Sequence, residues 1–122
     1  MPELPEVEVS RRGILPFVSG QRIVDAVFRV PKLRHVIPSS LASRLVGLRV
    51  NAVLRRGKYL LFDCESNQGG GWLIVHLGMS GSLRLVLPGA PVQKHDHVDL
   101  VFAQTCLRLR DPRRFGTLLW HE

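Results

Sequence analysis

The chain begins Met1-Pro2-Glu3-Leu4-Pro5-Glu6, which sets an amine beside two carboxylates. Methionine is normally trimmed when proline follows, and Pro2 then becomes the N-terminus. An α-amino group titrates near 7.7–8.0 and a lysine near 10.4, so about a tenth of the former is neutral at pH 7 against roughly one lysine in 2,500. A secondary amine condenses with a sugar aldehyde to a permanently charged iminium, an electron sink that drives elimination. Glu3 and Glu6 are close enough in sequence to serve as general acid and electrostatic anchor. A plainer reading also fits: Pro5 suits the first turn of a helix, and acidic residues there complement its dipole.

Other side chains have a functional and a structural reading. Lys58 follows Gly57 at the start of a strand, where a solvated edge residue is the commonest fate of a lysine. His76 stands three residues before Met79 and reads as an ordinary strand histidine. Taken alone, Met79 is a core gap-filler and Phe115 a buried strand residue. In "KHDHVDL", His95 and His97 fall on one face of a strand, with Asp96 and Asp99 near. The ligand set is incomplete and no cysteine adjoins it, so hydrogen bonding or a phosphate contact is favoured over a metal. Cys64 and Cys106 are far apart with no C-x-x-C, which points to buried, reduced thiols in a cytosolic protein.

These residues need a scaffold. A length of 122 residues suits one domain, and a hydrophobic fraction of 45% excludes a disordered chain. No apolar run approaches the ~20 residues of a membrane span, and the acidic, proline-bearing start is no signal peptide. Residues 5–18 read as a helix, with Pro5 inside its start and Gly20 beyond its end, although its apolar positions are irregular. Eight short β-branched or alternating runs follow: "RIVDAVFRV", "LRVNAVLRRG", "KYLLFDCE", "GWLIVHLG", "SLRLVLPG", "DHVDLVFA", "TCLRLRD" and "GTLLWHE". Their close spacing predicts a mainly β fold with flanking helices, an eight-stranded antiparallel sandwich or barrel. "PSSLASRLVG" predicts a second short helix capped by Ser39 or Ser40. "ESNQGGG" reads as a flexible hairpin tip and "PGAPVQKHD" as an irregular loop. The net charge is +7, and of 17 basic residues only Lys32, Lys58 and Lys94 are lysines. Arginine grips phosphate through a planar fork, so the surplus fits a nucleic-acid partner, or a generally basic surface.

Five blocks carry a resemblance. "PELPEVE", "RRGKYLLF", "HLGMSGSL", "KHDHVDL" and "DPRRFG", in this order and spacing, resemble the N-terminal domain of formamidopyrimidine-DNA glycosylase over essentially the whole chain. The sister family, endonuclease VIII, shares the proline start but usually reads P-E-G-P-E and lacks the methionine and Arg-x-Phe blocks. The resemblance implies a bacterial base-excision repair enzyme that removes oxidised purines such as 8-oxoguanine from duplex DNA and then cleaves the strand by β- and δ-elimination. It implies Pro2 as nucleophile at the sugar C1′, Glu3 as proton donor to the opening sugar, and Glu6 as the group holding local geometry. Lys58 and His76 would contact phosphate, and Arg114 and His95 are further candidates for the DNA backbone. Met79, Arg113 and Phe115 would fill the hole left by the flipped base, Arg113 facing the orphaned base, which the family prefers to be cytosine. These three must then converge on one basic face with Met79 and Phe115 exposed. The family also has a helical domain with a helix–two-turn–helix and a four-cysteine zinc finger. Neither is expected within residues 1–122, so no zinc or other cofactor is expected in this segment. The implied protein is a monomer acting in the cytoplasm at the nucleoid. The alternatives are a catalytically idle, basic DNA-binding sandwich or an endonuclease VIII-like glycosylase for oxidised pyrimidines.

Overall fold

The computed structural model describes residues 4–122, Leu4 by its backbone only. Helix α1 (Leu4–Val18) leads into β1 (Asp25–Phe28) and the short helix α2 (Leu41–Leu45). Seven strands follow: β2 (Arg49–Arg56), β3 (Tyr59–Ser66), β4 (Gly69–His76), β5 (Ser82–Val86), β6 (Asp96–Val101), β7 (Cys106–Arg110) and β8 (Thr117–His121). They form two four-stranded antiparallel sheets, ordered β1-β6-β7-β5 and β2-β3-β4-β8. The predicted sandwich with an N-terminal helix and one further short helix is therefore the observed fold.

Alternation sets the core. Phe62, Leu73, Val75 and Leu118 from one sheet meet Val98, Leu100, Leu107 and Leu109 from the other along one apolar seam. On α1, Val7, Ile14 and Val18 are buried, at spacings of seven and four residues that keep them on one helical face. Val9, which breaks the pattern, is 70% exposed. Arg11 Nη1 donates to the carbonyl of Val53 at 3.1 Å, and Gly20 N–H donates to Val50 O at 2.6 Å. The helix therefore runs antiparallel to β2, with its N-terminal turns at the β2–β3 hairpin end.

Several local expectations need correction. Ser40 is the N-cap of α2, but its side chain makes no capping hydrogen bond; its carbonyl accepts from Arg44 N–H at 3.1 Å and Ser43 Oγ at 3.0 Å. The glycines of "ESNQGGG" are strand residues rather than a flexible tip, since Gly69, Gly70 and Gly71 pair with Ser66, Glu65 and Cys64. A Cβ at Gly70 would stand 2.2 Å from the Cys64 carbonyl oxygen, so close packing selects glycine there. His95 precedes β6 with φ 73, and the β6–β7 register slips between Asp96 and Val98, so His95 and His97 do not share a strand face. The bulge re-aims both rings, which meet edge to face with centroids 6.0 Å apart.

The loop of residues 87–95 is irregular but tied down. Asp99 pairs across the ladder with Arg108, whose Nε donates to Asp99 Oδ1 at 2.9 Å. The same guanidinium reaches over the sheet to the carbonyls of Pro91 and Ala90, at 2.9 and 3.1 Å. Arg29 donates to Asp99 Oδ2 at 2.6 Å, and Arg84 to Asp96 Oδ1 at 3.3 Å. Burial alone would raise the Asp99 carboxyl, but the Arg108 and Arg29 hydrogen bonds outweigh it and hold the pKa at about 2. The loop covers the outer face of β6 and β7, which are buried on both sides in consequence.

Candidate DNA-facing site

Two tight turns at one end of the sandwich carry most of the candidate residues. The first, residues 77–81, leaves β4 and closes with Gly81 N–H donating to Leu77 O at 2.8 Å. The second, residues 111–116, joins β7 to β8 and is closed by Arg114 N–H donating to Asp111 O at 3.2 Å. They touch directly. A Cβ at Gly78 (φ +64) would lie 2.5 Å from both C and O of Phe115.

Met79 rises from the first turn and is 45% exposed; Phe115, on the second, is 40% exposed. Neither belongs to the core, which decides against the plain readings of both residues. Arg113 is exposed and lays its guanidinium over the Phe115 ring, 5.0 Å from the centroid. Arg114 is exposed, with φ 55, and its charge acts on the His97 ring.

The phosphate candidates adjoin this pair of turns. His76 ends β4, opposite Tyr59 on β3 and Thr117 on β8, and its ring lies 4.7 Å from that of Tyr59. Its Nδ1 accepts from Gly78 N–H at 3.0 Å, so the neutral imidazole carries its proton on Nε2, as a donor. Burial, then the charges of Lys58 and Arg34, push the His76 pKa below its ordinary value. Lys58 is half-buried in the β2–β3 turn beside Tyr59. Arg34, which the sequence reading passed over, ties its own N–H to Gly116 O at 3.0 Å and so joins the same rim. His97 Nε2 donates to Asp111 O at 3.1 Å and is structural; Asp111 N–H donates to His95 O at 3.0 Å.

Pro2 and Glu3 lie outside the described residues. Glu6 is exposed on the first turn of α1. The tether of this helix is Glu8, another residue without a role in the sequence reading. Its carboxylate accepts from Arg11 at 2.7 Å, Arg12 at 2.9 Å and Arg55 at 3.0 Å, which holds its pKa well below the usual carboxylate range. Arg55 lies three residues before Lys58, so one ion cluster fixes the helix to the hairpin that carries the lysine.

The thiols are inert. Burial first, then Asp63, raises Cys64 to about 12, and burial with Asp99 raises Cys106 to about 11. Among the described residues no three His, Cys, Asp or Glu side chains gather as metal ligands. A cleft of about 900 Å³ opens at the opposite end of the β2–β3–β4–β8 sheet, by the β3–β4 turn. Its arginines already have partners there: Arg22 on Gly47 O at 2.6 Å, Arg44 on Glu122, and Arg49 near Glu65 at 3.9 Å. Size alone therefore does not locate the chemistry.

The family model of the formamidopyrimidine-DNA glycosylase N-terminal domain matches residues 1–118. The chain belongs to this family. It is 61% identical over 120 residues to the formamidopyrimidine-DNA glycosylase of Dechloromonas aromatica, covering 98% of the chain and 43% of that relative. The Methylococcus capsulatus glycosylase is 59% identical over 121 residues, with the same 98% and 43% coverage. The chain thus spans less than half the length of these glycosylases. The Lactococcus lactis glycosylase bound non-covalently to DNA containing an AP site superposes with a TM-score of 0.87 at 37% identity, over 98% of this chain and 45% of that one. The same enzyme with FAPY-dG-containing DNA gives 0.86 at 38% identity, over 95% and 43%.

Proposed function

We propose that this chain is the amine-bearing N-terminal part of a base-excision DNA glycosylase and AP lyase that removes oxidised purines from duplex DNA. One observation carries the reading beyond family membership. Met79 and Phe115 stand exposed on adjoining turns that also carry Arg113 and Arg114, with Arg34 bonded to Gly116 and the charges of Arg34 and Lys58 acting on His76. Burying either apolar side chain is worth about 1.5–3 kcal/mol, so leaving both in water fits a partner that covers them. A duplex with one base flipped out provides an apolar gap flanked by phosphates.

In this reading the neutral Pro2 nitrogen attacks C1′ of the damaged nucleotide. The C1′–base bond breaks, its electron pair leaving with the purine, and Glu3 protonates the sugar oxygen as the ring opens to the iminium. Loss of the C2′ proton then expels the 3′ phosphate, and a second elimination expels the 5′ phosphate. Glu6 holds the local geometry. Lys58, with the neutral Nε2–H of His76, contacts phosphate beside the lesion; Arg114 and His95 serve the backbone further out. Met79 and Phe115 fill the gap while Arg113 meets the orphaned base, cytosine by preference. The substrate places the protein at the nucleoid, and it acts as a monomer that adds a helical domain and zinc finger beyond these residues.

Borohydride trapping tests this in the full-length protein carrying the chain. With Met1 removed, a covalent complex forms on duplex bearing an abasic site, and Pro2→Gly lowers its yield. Equal trapping by protein that retains Met1 would transfer the amine role to a lysine, Lys58 first. No trapping and no excision would leave a catalytically idle DNA-binding module.

A further inference from the structure

Asp111 is fully buried, at 0% exposure, and its two carboxylate oxygens are divided between the two site turns. Ser80 Oγ–H donates to Oδ1 at 2.9 Å, and Gly116 N–H donates to Oδ2 at 2.8 Å. The Ser80 hydroxyl in turn accepts from Arg113 N–H at 3.1 Å. One serine side chain therefore links the residue after Met79 to the backbone of Arg113 and, through the carboxylate, to the residue after Phe115. The carboxylate is itself held from behind, because the Asp111 backbone accepts from His97 Nε2 and donates to His95 O.

We propose that Ser80 and Asp111 are positioning residues that lock the Met79 turn to the Arg113–Phe115 turn, so that the three side chains enter the duplex as one unit. The inference rests on the reading above, in which these side chains occupy the gap left by the flipped base. Ser80 touches no substrate in this scheme; it acts through the two turns. A hydroxyl with a buried carboxylate on one side and a backbone N–H on the other suits this task. Two hydrogen bonds are lost together when it is removed, and a buried acceptor is left short of a donor.

The test uses the full-length protein with Ser80→Ala and Ser80→Thr, the second retaining the hydroxyl. Single-turnover excision of a formamidopyrimidine base is compared with strand cleavage at a preformed abasic site, where there is no base to extrude. The expected result is a ratio of excision to cleavage reduced about five- to tenfold in S80A, as fits the loss of two hydrogen bonds near the low end of their net worth, and restored in S80T. A 2-aminopurine beside the lesion should report slower gap filling in S80A alone. An unchanged ratio, with both rates falling alongside the melting temperature or neither falling, overturns the proposal, as does S80T behaving like S80A. Wild-type protein unable to excise the base would overturn the glycosylase reading itself, and this is seen before any variant is compared.

Discussion

Gly78→Ala separates the two site turns by the smallest available chemical change. The new Cβ would meet C and O of Phe115 at 2.5 Å and N of Gly116 at 2.6 Å. These are backbone atoms, so no side-chain rotation relieves the contact. Restoring an ordinary separation of about 3.5 Å moves one turn by about 1 Å. Overpacking of this kind costs about 1–3 kcal/mol, and a non-glycine residue at φ +64 adds about 1–2. Gly57→Ala is the matched control: its φ is +61, but nothing lies within 4 Å of its Cβ, so it carries the backbone strain alone. The two variants should therefore differ by about 1–3 kcal/mol, which in a domain of this size is a melting difference of about 4–15 °C. Thermal unfolding followed by circular dichroism measures it. Melting of G78A within about 2 °C of G57A would refute the close approach of the turns, and with it the argument that Met79 and Phe115 share one rigid mount.

Arg108→Met should destabilise by about 3–5 kcal/mol in urea titration, because it leaves the buried Asp99 carboxylate with Arg29 alone and two loop carbonyls without their donor. The native Asp99 pKa of about 2 lies below its unfolded value, so its contribution is present above about pH 4 and lost as pH falls towards 2. Urea midpoints between pH 5 and 2 should thus fall by roughly 1–2 kcal/mol equivalent on this account, and Asp99→Asn should lose this share of the acid slope while keeping the share that Glu8 contributes. The isolated 122-residue chain should bind undamaged duplex only at micromolar concentrations or weaker, and lose affinity steeply with salt in an anisotropy titration. In the full-length protein Phe115→Ala should slow base extrusion, while Arg113→Ala should flatten the preference for the base opposite the lesion.

Strand runs were legible because alternation is local. "KYLLFDCE" shows its buried face, Leu60, Phe62 and Cys64, at every second position. The burial of both faces of β6 and β7 was not legible, since the cover comes from a loop pinned by Arg108 from 17 residues away. The irregular apolar pattern of α1 has a similar cause: the helix is held partly by Glu8, whose Arg11 and Arg12 partners are readable at helical spacing but whose Arg55 partner is 47 residues distant. Asp111 and Ser80 stood inside the quoted blocks without a role, because nothing in either block announces a partner 31 residues off. His95 and His97 misled for a related reason. Alternation assumes an unbroken strand, and the bulge begins between them.

Under the proposed function, the arrangement of rigid and exposed parts follows from what a gap-filling side chain has to do. Flipping a base costs a few kcal/mol of stacking, which the intruding residues recover only while they occupy the gap. Had they to be ordered at that moment, each would lose about 0.5–1.5 kcal/mol of that recovery to side-chain entropy. Here the ordering is done in advance. The turns are tied by Asp111, Ser80 and the close approach at Gly78, and the Phe115 ring is overlaid by the Arg113 guanidinium. Only the tips meet water. Exposed apolar groups on flexible turns would collapse onto the nearest hydrophobic surface, whereas exposed apolar groups on fixed turns remain available. The buried polar ties behind Met79 and Phe115 are thus the condition for leaving these two residues in solvent.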